Sequence, residues 1–338
     1  MLLWPLSQVY KFLAYTHRKL HQTGILKVNK VNVPVVVVGN IVVGGGGKTP
    51  TVIALAQHLQ AQGIRFGVIS RGYGRTSTDC VEVKTNSKVS DVGDEPASMR
   101  LALDSIALKS GEVSAPVFVA NKRFDAAAEL LKTYPSTQVI LSDDGLQHHA
   151  LHHDIAITVF DNRGLGNGLL IPAGPLRESA RPLRESSVKT NNSLVLYTGN
   201  QAVKLPHIAA PQFTARRTLA NYALKSDGSR VDFETLKQQT NLLALAGIAN
   251  PEAFFEMLRG QGLTLAKTLP LPDHADFSYV FNSYSGSKYA GYTLICTIKD
   301  AVKLWQIYPE ALAVPLEFEP EPVFFAAFDA LLKPFIRT

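Results

Sequence analysis

"VVVVGNIVVGGGGKTP", residues 35–50, runs from four valines into four glycines, a lysine and a threonine. Val35 to Val38 are β-branched with no polar alternation, the pattern of a strand buried on both faces of a parallel sheet. Gly44, Gly45, Gly46 and Gly47 carry no Cβ, so the turn can adopt positive φ and bring several backbone N–H groups to one anion. Lys48 adds a point charge, Thr49 a hydroxyl suited to Mg2+, and the helix opening near Pro50 its positive end. Strand, glycines, Lys-Thr and helix in that order read as a phosphate-binding loop. The plainer alternative is an ordinary glycine-rich turn from strand to helix.

The spacing departs from G-x-x-x-x-G-K-[ST], because Val42 occupies the first glycine position. The stretch is similar to the glycine-crowded "GGxGKT" loops of deviant P-loop ATPases, with Val43 where some of those carry a second lysine. The nucleotide-binding backbone expected here runs from Val42 and Val43 through Thr49.

The chain has 338 residues, is 46% hydrophobic and only 18% charged, and carries a net charge of +6 with a pI near 9.2. That length allows one large or two medium domains with a sizeable core. The positive charge favours anionic partners such as nucleotides, lipid head groups or nucleic acid. No basic stripe with interleaved aromatics appears, so nucleic acid is not expected. Cys80 and Cys296 have no Cys or His at metal-ligand spacing, which points to a reducing compartment without disulfides or zinc. No stretch reaches the ~18 unbroken apolar residues of a membrane span. At the N-terminus, Leu3, Leu6, Val9, Tyr10 and Leu13 recur at helical spacing, with Trp4 and Phe12 beside them and Lys11, Arg18 and Lys19 among them. Such a helix either lies in a bilayer interface or docks on the protein's own core.

Beyond the glycine loop, strands and helices alternate. "RFGVIS", "APVFVA", "QVILSDD", "DIAITVFD" and "NSLVLYTG" read as strands, and "TVIALAQHLQAQG" and "KRFDAAAELLKTYP" as helices. This pattern predicts a parallel sheet covered on both faces. Residues 213–233 alternate at period two around Asp227-Gly228, a hairpin signature. A second α/β block follows, with "NLLALAGI", "NPEAFFEMLRGQG" and "YTLICTIKDAVKLW". The division expected is an N-terminal amphipathic region at 1–30, a nucleotide-binding lobe at 31–204, a β-hairpin linker at 205–237 and a smaller α/β lobe at 238–338.

Several other residues could carry chemistry. Asp143 and Asp144 end an apolar strand, where a carboxylate can hold Mg2+ beside the phosphate loop or simply cap the next turn. His148 and His149 follow, as ligands or as turn residues. Asp94 and Glu95 precede a helix carrying Met99 and Leu101, where acidic residues also serve as caps. Arg71 and Arg177 sit in glycine- or proline-bearing loops suited to anions. Asp273-His274 lies in a proline-bounded turn, where proton transfer and plain solvation are both open.

The ordered set "VGNIVVGGGGKTP", "SRGYG", "GDEP", "DDGLQH", "GPLRE", "PDH" and "TIKDAVK" resembles the tetraacyldisaccharide 4'-kinase family nearly end to end. That resemblance implies two P-loop-type (RecA-like) α/β lobes with mainly parallel sheets, joined by a small β linker. It implies an ATP-dependent, Mg2+-using kinase acting on the 4'-hydroxyl of the lipid A disaccharide precursor, peripheral to the cytoplasmic face of the inner membrane of a Gram-negative bacterium. Carried over, Lys48 serves the ATP phosphates, and Thr49, Glu95, Asp143 and Asp144 surround the metal. Asp94 would deprotonate the sugar hydroxyl with His274 as its partner. Gly46, Ala275 and Ile298 depart from residues common in the family, and Ile298 leaves the roles of Lys299 and Asp300 open. The alternative function is a switch-type ATPase of the partitioning or positioning kind, which would have no use for "PDH".

Overall fold

The computed structural model describes residues 3–180, 192–199, 208–273, 275, 277, 289 and 291–336. In chain order the first half comprises α1 (Trp4–Gln22), β1 (Val35–Gly39), α2 (Lys48–Ala61), β2 (Phe66–Ser70), β3 (Val81–Glu82), α3 (Val89–Val92), α4 (Asp94–Ser110), β4 (Val117–Val119), α5 (Arg123–Thr133), β5 (Val139–Asp143) and β6 (Ile155–Phe160). There follow β7 (Ser193–Tyr197), β8 (Gln212–Leu219), β9 (Tyr222–Leu224), β10 (Arg230–Asp232), α6 (Phe233–Lys237), β11 (Leu242–Ala246), α7 (Pro251–Gly260) and β12 (Leu265–Pro270). The last described elements are β13 (Thr293–Thr297), α8 (Ile298–Leu304), β14 (Leu312–Val314), β15 (Leu316–Pro320) and α9 (Pro322–Leu332).

These strands form two sheets. The first runs β15-β8-β7-β6-β1-β5-β2-β4-β3, parallel from β8 to β4 and closed by the antiparallel edges β15 and β3. The valines of β1 alternate across it: Val36 and Val38 join the core under α2 and α4, and Val35 joins the core under α5. Both faces are covered, which is why β1 and β5 are buried at every position. The second sheet runs β10-β9-β14-β13-β11-β12, parallel from β14 to β12. The Asp227-Gly228 turn closes the hairpin β9–β10 at its edge, with Gly228 at φ 83°.

The strands expected between the lobes are shared out. Strand β8 belongs to the first sheet, whereas the β9–β10 hairpin belongs to the second. The chain also returns. After β14, strand β15 pairs antiparallel with β8, and α9 packs Phe324, Phe328 and Leu332 into the first core. Residues 316–332, counted with the second lobe in the sequence division, therefore lie on the first sheet. His58 Nε2 of α2 and Asp329 Oδ1 of α9 stand 2.8 Å apart across that junction.

Helix α1 presents its apolar side outward. Ser7 is its only buried residue among those described, donating to the Leu170 carbonyl at 2.8 Å, and Tyr10 Oη donates to the Arg177 carbonyl at 3.0 Å. Leu3, Trp4, Leu6, Val9, Phe12, Leu13 and Tyr15 are exposed.

Candidate functional site

Strand β1 pairs with β5 in a register that sets Val38 opposite Asp143. The loop leaving β1 therefore emerges beside the acidic end of β5, at the C-terminal edge of the sheet where α/β folds bind ligands. Gly44 and Gly47 take φ of 97° and 89°, a region that suits glycine. The loop's carbonyls are held from outside. Asn40 Nδ2 donates to Gly44 O at 3.0 Å, Thr198 Oγ1 to Gly46 O at 2.8 Å, and Arg163 to Val43 O and Gly45 O at 3.0 and 3.1 Å. Among the described residues the N–H groups of Gly44 to Gly47 donate to nothing. Val43 differs from expectation: its N–H donates to Pro175 O at 2.8 Å, and Val42 is buried in a bridge to Leu176. The open amides begin at Gly44.

Lys48, buried at the start of α2, has its Nζ 3.8 Å from Asp144 Oδ1 and 3.5 Å from Gly44 O. Thr49 Oγ1 donates to Asp143 Oδ2 at 3.3 Å. Asp143 is 1% exposed and its Oδ1 has no hydrogen-bond partner among the described residues. Burial first, then the charges of Glu95 and Asp144, push its carboxyl up to about 7 against the pull of Lys48 and Arg123. Arg123, lowered by burial to about 10, donates to the Asp143 and Asp144 carbonyls at 3.0 Å each. Arg177 Nη1 donates to both Asp144 oxygens at 3.2 and 3.1 Å. It orients a carboxylate here, where the sequence suggested a direct anion contact. Arg71 is exposed and makes no hydrogen bond or ion pair among the described residues, yet lies near enough to lower Arg123 and His148.

An orphaned, buried carboxylate oxygen beside a hydroxyl and two further carboxylates suits a hard divalent cation. No three His, Cys, Asp or Glu side chains among the described residues close into a metal cage. Mg2+ requires none, since it uses one or two carboxylates and takes its other ligands from water and phosphate. His148 and His149 are pushed down to about 4, chiefly by burial, and His149 Nε2 lies 3.7 Å from Glu178 Oε1.

Asp94 opens α4 after Gly93 (φ 91°) and is 4% exposed. It faces a cavity of about 380 Å3, lined by Tyr73, Gly74, Phe277, Lys303 and Gln306 among others, within the size range of small-molecule sites. Two lysines of α8 cross from the second sheet to meet α4. Lys303 Nζ is 3.0 Å from Asp94 Oδ2, and Lys299 Nζ is 3.4 Å from Glu95 Oε1 and 2.8 Å from Asp273 Oδ1. His274, expected beside Asp94, lies outside the described residues. Asn40, Arg163, Thr198 and Lys303 were not singled out from sequence. Asn40 had a local signal, as the first polar side chain after the valine run, and Lys303 closes the "TIKDAVK" stretch.

Open amides, a buried lysine and an acidic neighbouring strand define a P-loop phosphotransferase, with Asp94 lining a separate cavity. The model of the tetraacyldisaccharide-1-P 4'-kinase family matches residues 1–333. A tetraacyldisaccharide 4'-kinase from Polaromonas sp. (strain JS666) is 50% identical over 99% of this chain and 93% of its own length. One from Delftia acidovorans is 41% identical over 98% and 90%. The crystal structure of "apo" form LpxK from Aquifex aeolicus in complex with ATP superimposes with a TM-score of 0.80 at 29% identity, covering 100% of both chains. The chain belongs to the tetraacyldisaccharide-1-P 4'-kinase family. The fold is thus the expected pair of P-loop-type α/β lobes, and the switch-type ATPase is not favoured.

Proposed function

We propose that this chain transfers the γ-phosphoryl group of ATP to the 4'-hydroxyl of tetraacyldisaccharide 1-phosphate. The observation that carries the reading is the row of open Gly44–Gly47 amides followed by Lys48 and Thr49, which stand beside the carboxylates at the end of β5. The amides would hold the phosphate chain, with Lys48 balancing charge on the oxygens as the phosphoryl group moves. Thr49 and Asp143, with Glu95 and Asp144 around them, would hold Mg2+. That ion supplies charge neutralisation on the phosphates.

The first sheet serves as the nucleotide lobe, and the second closes the acceptor cavity. Asp94 takes the proton of the sugar hydroxyl as the new O–P bond forms and the bond to the ADP oxygen breaks. Its burial limits competition from water. The outward apolar side of α1, with Trp4, Leu6, Phe12 and Leu13 and the nearby Lys11 and Lys19, supports docking at the cytoplasmic face of the inner membrane. No described helix is long and apolar enough to cross a membrane. The test is transfer of label from γ-labelled ATP to the purified acceptor lipid, compared between wild type and Asp94→Asn. Label in the lipid that depends on Asp94 supports the reading; ATP hydrolysis with no labelled lipid contradicts it.

A further inference from the structure

Helix α8 is pinned at its start. Thr297 Oγ1 accepts from the Asp300 amide at 3.2 Å, and Asp300 Oδ2 accepts from Thr297 Oγ1 at 2.7 Å and from the Gly247 amide at 3.1 Å. Asp300 is 1% exposed, so this capping pair ties α8 to the end of β11. The open role of Asp300 is therefore structural: it fixes the base from which the two lysines project.

Lys299 and Lys303 stand four residues apart, on one face of α8. They meet two adjacent acidic residues at the start of α4. Lys299 is held between Asp273 of its own side and Glu95 of the other. Lys303 has a different setting. Its ammonium lies 3.0 Å from Asp94 Oδ2 and donates to the Ala275 carbonyl at 3.3 Å, and it passes 5.8 Å from the centre of the Phe277 ring. Asp94 Oδ1 accepts from the Glu95 amide at 3.1 Å. Asp94 Oδ1 is thus held by an amide of its own helix and Oδ2 by an ion pair with a lysine of α8. Together they fix the rotation of the carboxylate towards the cavity that both Asp94 and Lys303 line.

We propose that Lys303 is a positioning residue for phosphoryl transfer, reaching from the second sheet to aim the Asp94 carboxylate at the acceptor hydroxyl. The inference rests on the reading of Asp94 as the proton acceptor. Lys303 acts through Asp94, and its loss affects the chemical step more than ATP binding, because the phosphate loop lies on other elements. A general base works only within hydrogen-bond reach of its proton, and small misplacements of a reacting group are expensive in rate.

The experiment is a double-mutant cycle in the full chain, with kcat and both KM values measured for wild type, Lys303→Met, Lys303→Arg, Asp94→Asn and the double variant Asp94→Asn/Lys303→Met. Expected for Lys303→Met is a fall in kcat of about 100-fold with KM for ATP within about twofold, since a 1 Å misplacement can have that effect. Lys303→Arg should recover at least about tenfold of that loss, because it keeps a cation within reach of Asp94. In the Asp94→Asn background, Lys303→Met should lower kcat by less than about threefold, since residues acting as a unit are non-additive. A loss of equal size in that background would overturn the proposal, because it would show that Lys303 acts apart from Asp94. So would a raised KM for the lipid with kcat intact, which would make Lys303 a substrate contact. Should Lys303→Met fail to fold, Lys303→Gln enters the same cycle under the same criteria. Full activity in Asp94→Asn alone would refute the proton-acceptor reading itself, and the inference with it.

Discussion

Asp143→Asn should stabilise the protein in the absence of divalent cations while abolishing turnover, and the stabilisation should grow with pH. The wild-type carboxyl is pushed from its ordinary 3.8 to about 7 in the fold, so the folded state holds its proton more tightly than the unfolded chain does. Below 3.8 both states are protonated and nothing is lost. Between the two values the unfolded state releases its proton first, so stability falls as pH rises, and above about 7 the deficit is constant. Linkage puts that deficit at about 1 kcal/mol near pH ~4.5 and on the order of 4 kcal/mol near pH ~8. Asparagine removes the charge and with it the deficit. Urea unfolding of both proteins at several pH values, with chelator present, measures the gap directly. A gap that stays flat with pH would refute the reasoning, because only a carboxylate made to ionise in a buried site yields this slope. Loss of activity alongside gained stability is the pattern expected of a group kept for function.

Further expectations follow from other parts of the molecule. Lys48→Met should remove turnover by at least about 100-fold while leaving the unfolding midpoint nearly unchanged, since its charge serves the phosphates; near-normal kcat in the folded variant would contradict this. Leu6→Glu with Phe12→Glu should weaken sedimentation with anionic vesicles several-fold and leave stability within about 0.5 kcal/mol, because both side chains are already exposed; a large drop in stability would mean that they pack on the protein itself. Phe328→Ala should lower stability by about 3–5 kcal/mol, as for other fully buried aromatic side chains; a change under about 1 kcal/mol would detach α9 from the first core.

What could be read in the sequence was local. The four valines, the glycines and Lys48-Thr49 fall within one 16-residue stretch, and Asp143 closes its own apolar run, so strand, loop and the acidic strand end are legible without tertiary information. The partners that hold the loop were not. Thr198 and Arg163 reach Gly46 and Gly45 across more than a hundred residues, and neither carries a motif of its own. Lys303 closes the "TIKDAVK" stretch, but its meeting with Asp94 depends on how β13 and β11 set α8 against α4. The pairing of β15 with β8 depends on where the chain re-enters the first sheet, which no period-two pattern encodes. For α1 the apolar spacing was plain, but its direction was not. Ser7 and Tyr10 dock the helix through hydrogen bonds, which leaves the apolar residues facing out. The Val43 amide is engaged by Pro175, a partner in a distant loop that no local pattern announces.

The most direct test of the central claim is product analysis after incubation of the purified protein with ATP, Mg2+ and tetraacyldisaccharide 1-phosphate. Phosphorus NMR of the recovered lipid should show a second phosphate monoester, on the 4' oxygen, formed in a one-to-one ratio with ADP. ADP released with the lipid still carrying a single phosphate would contradict the account.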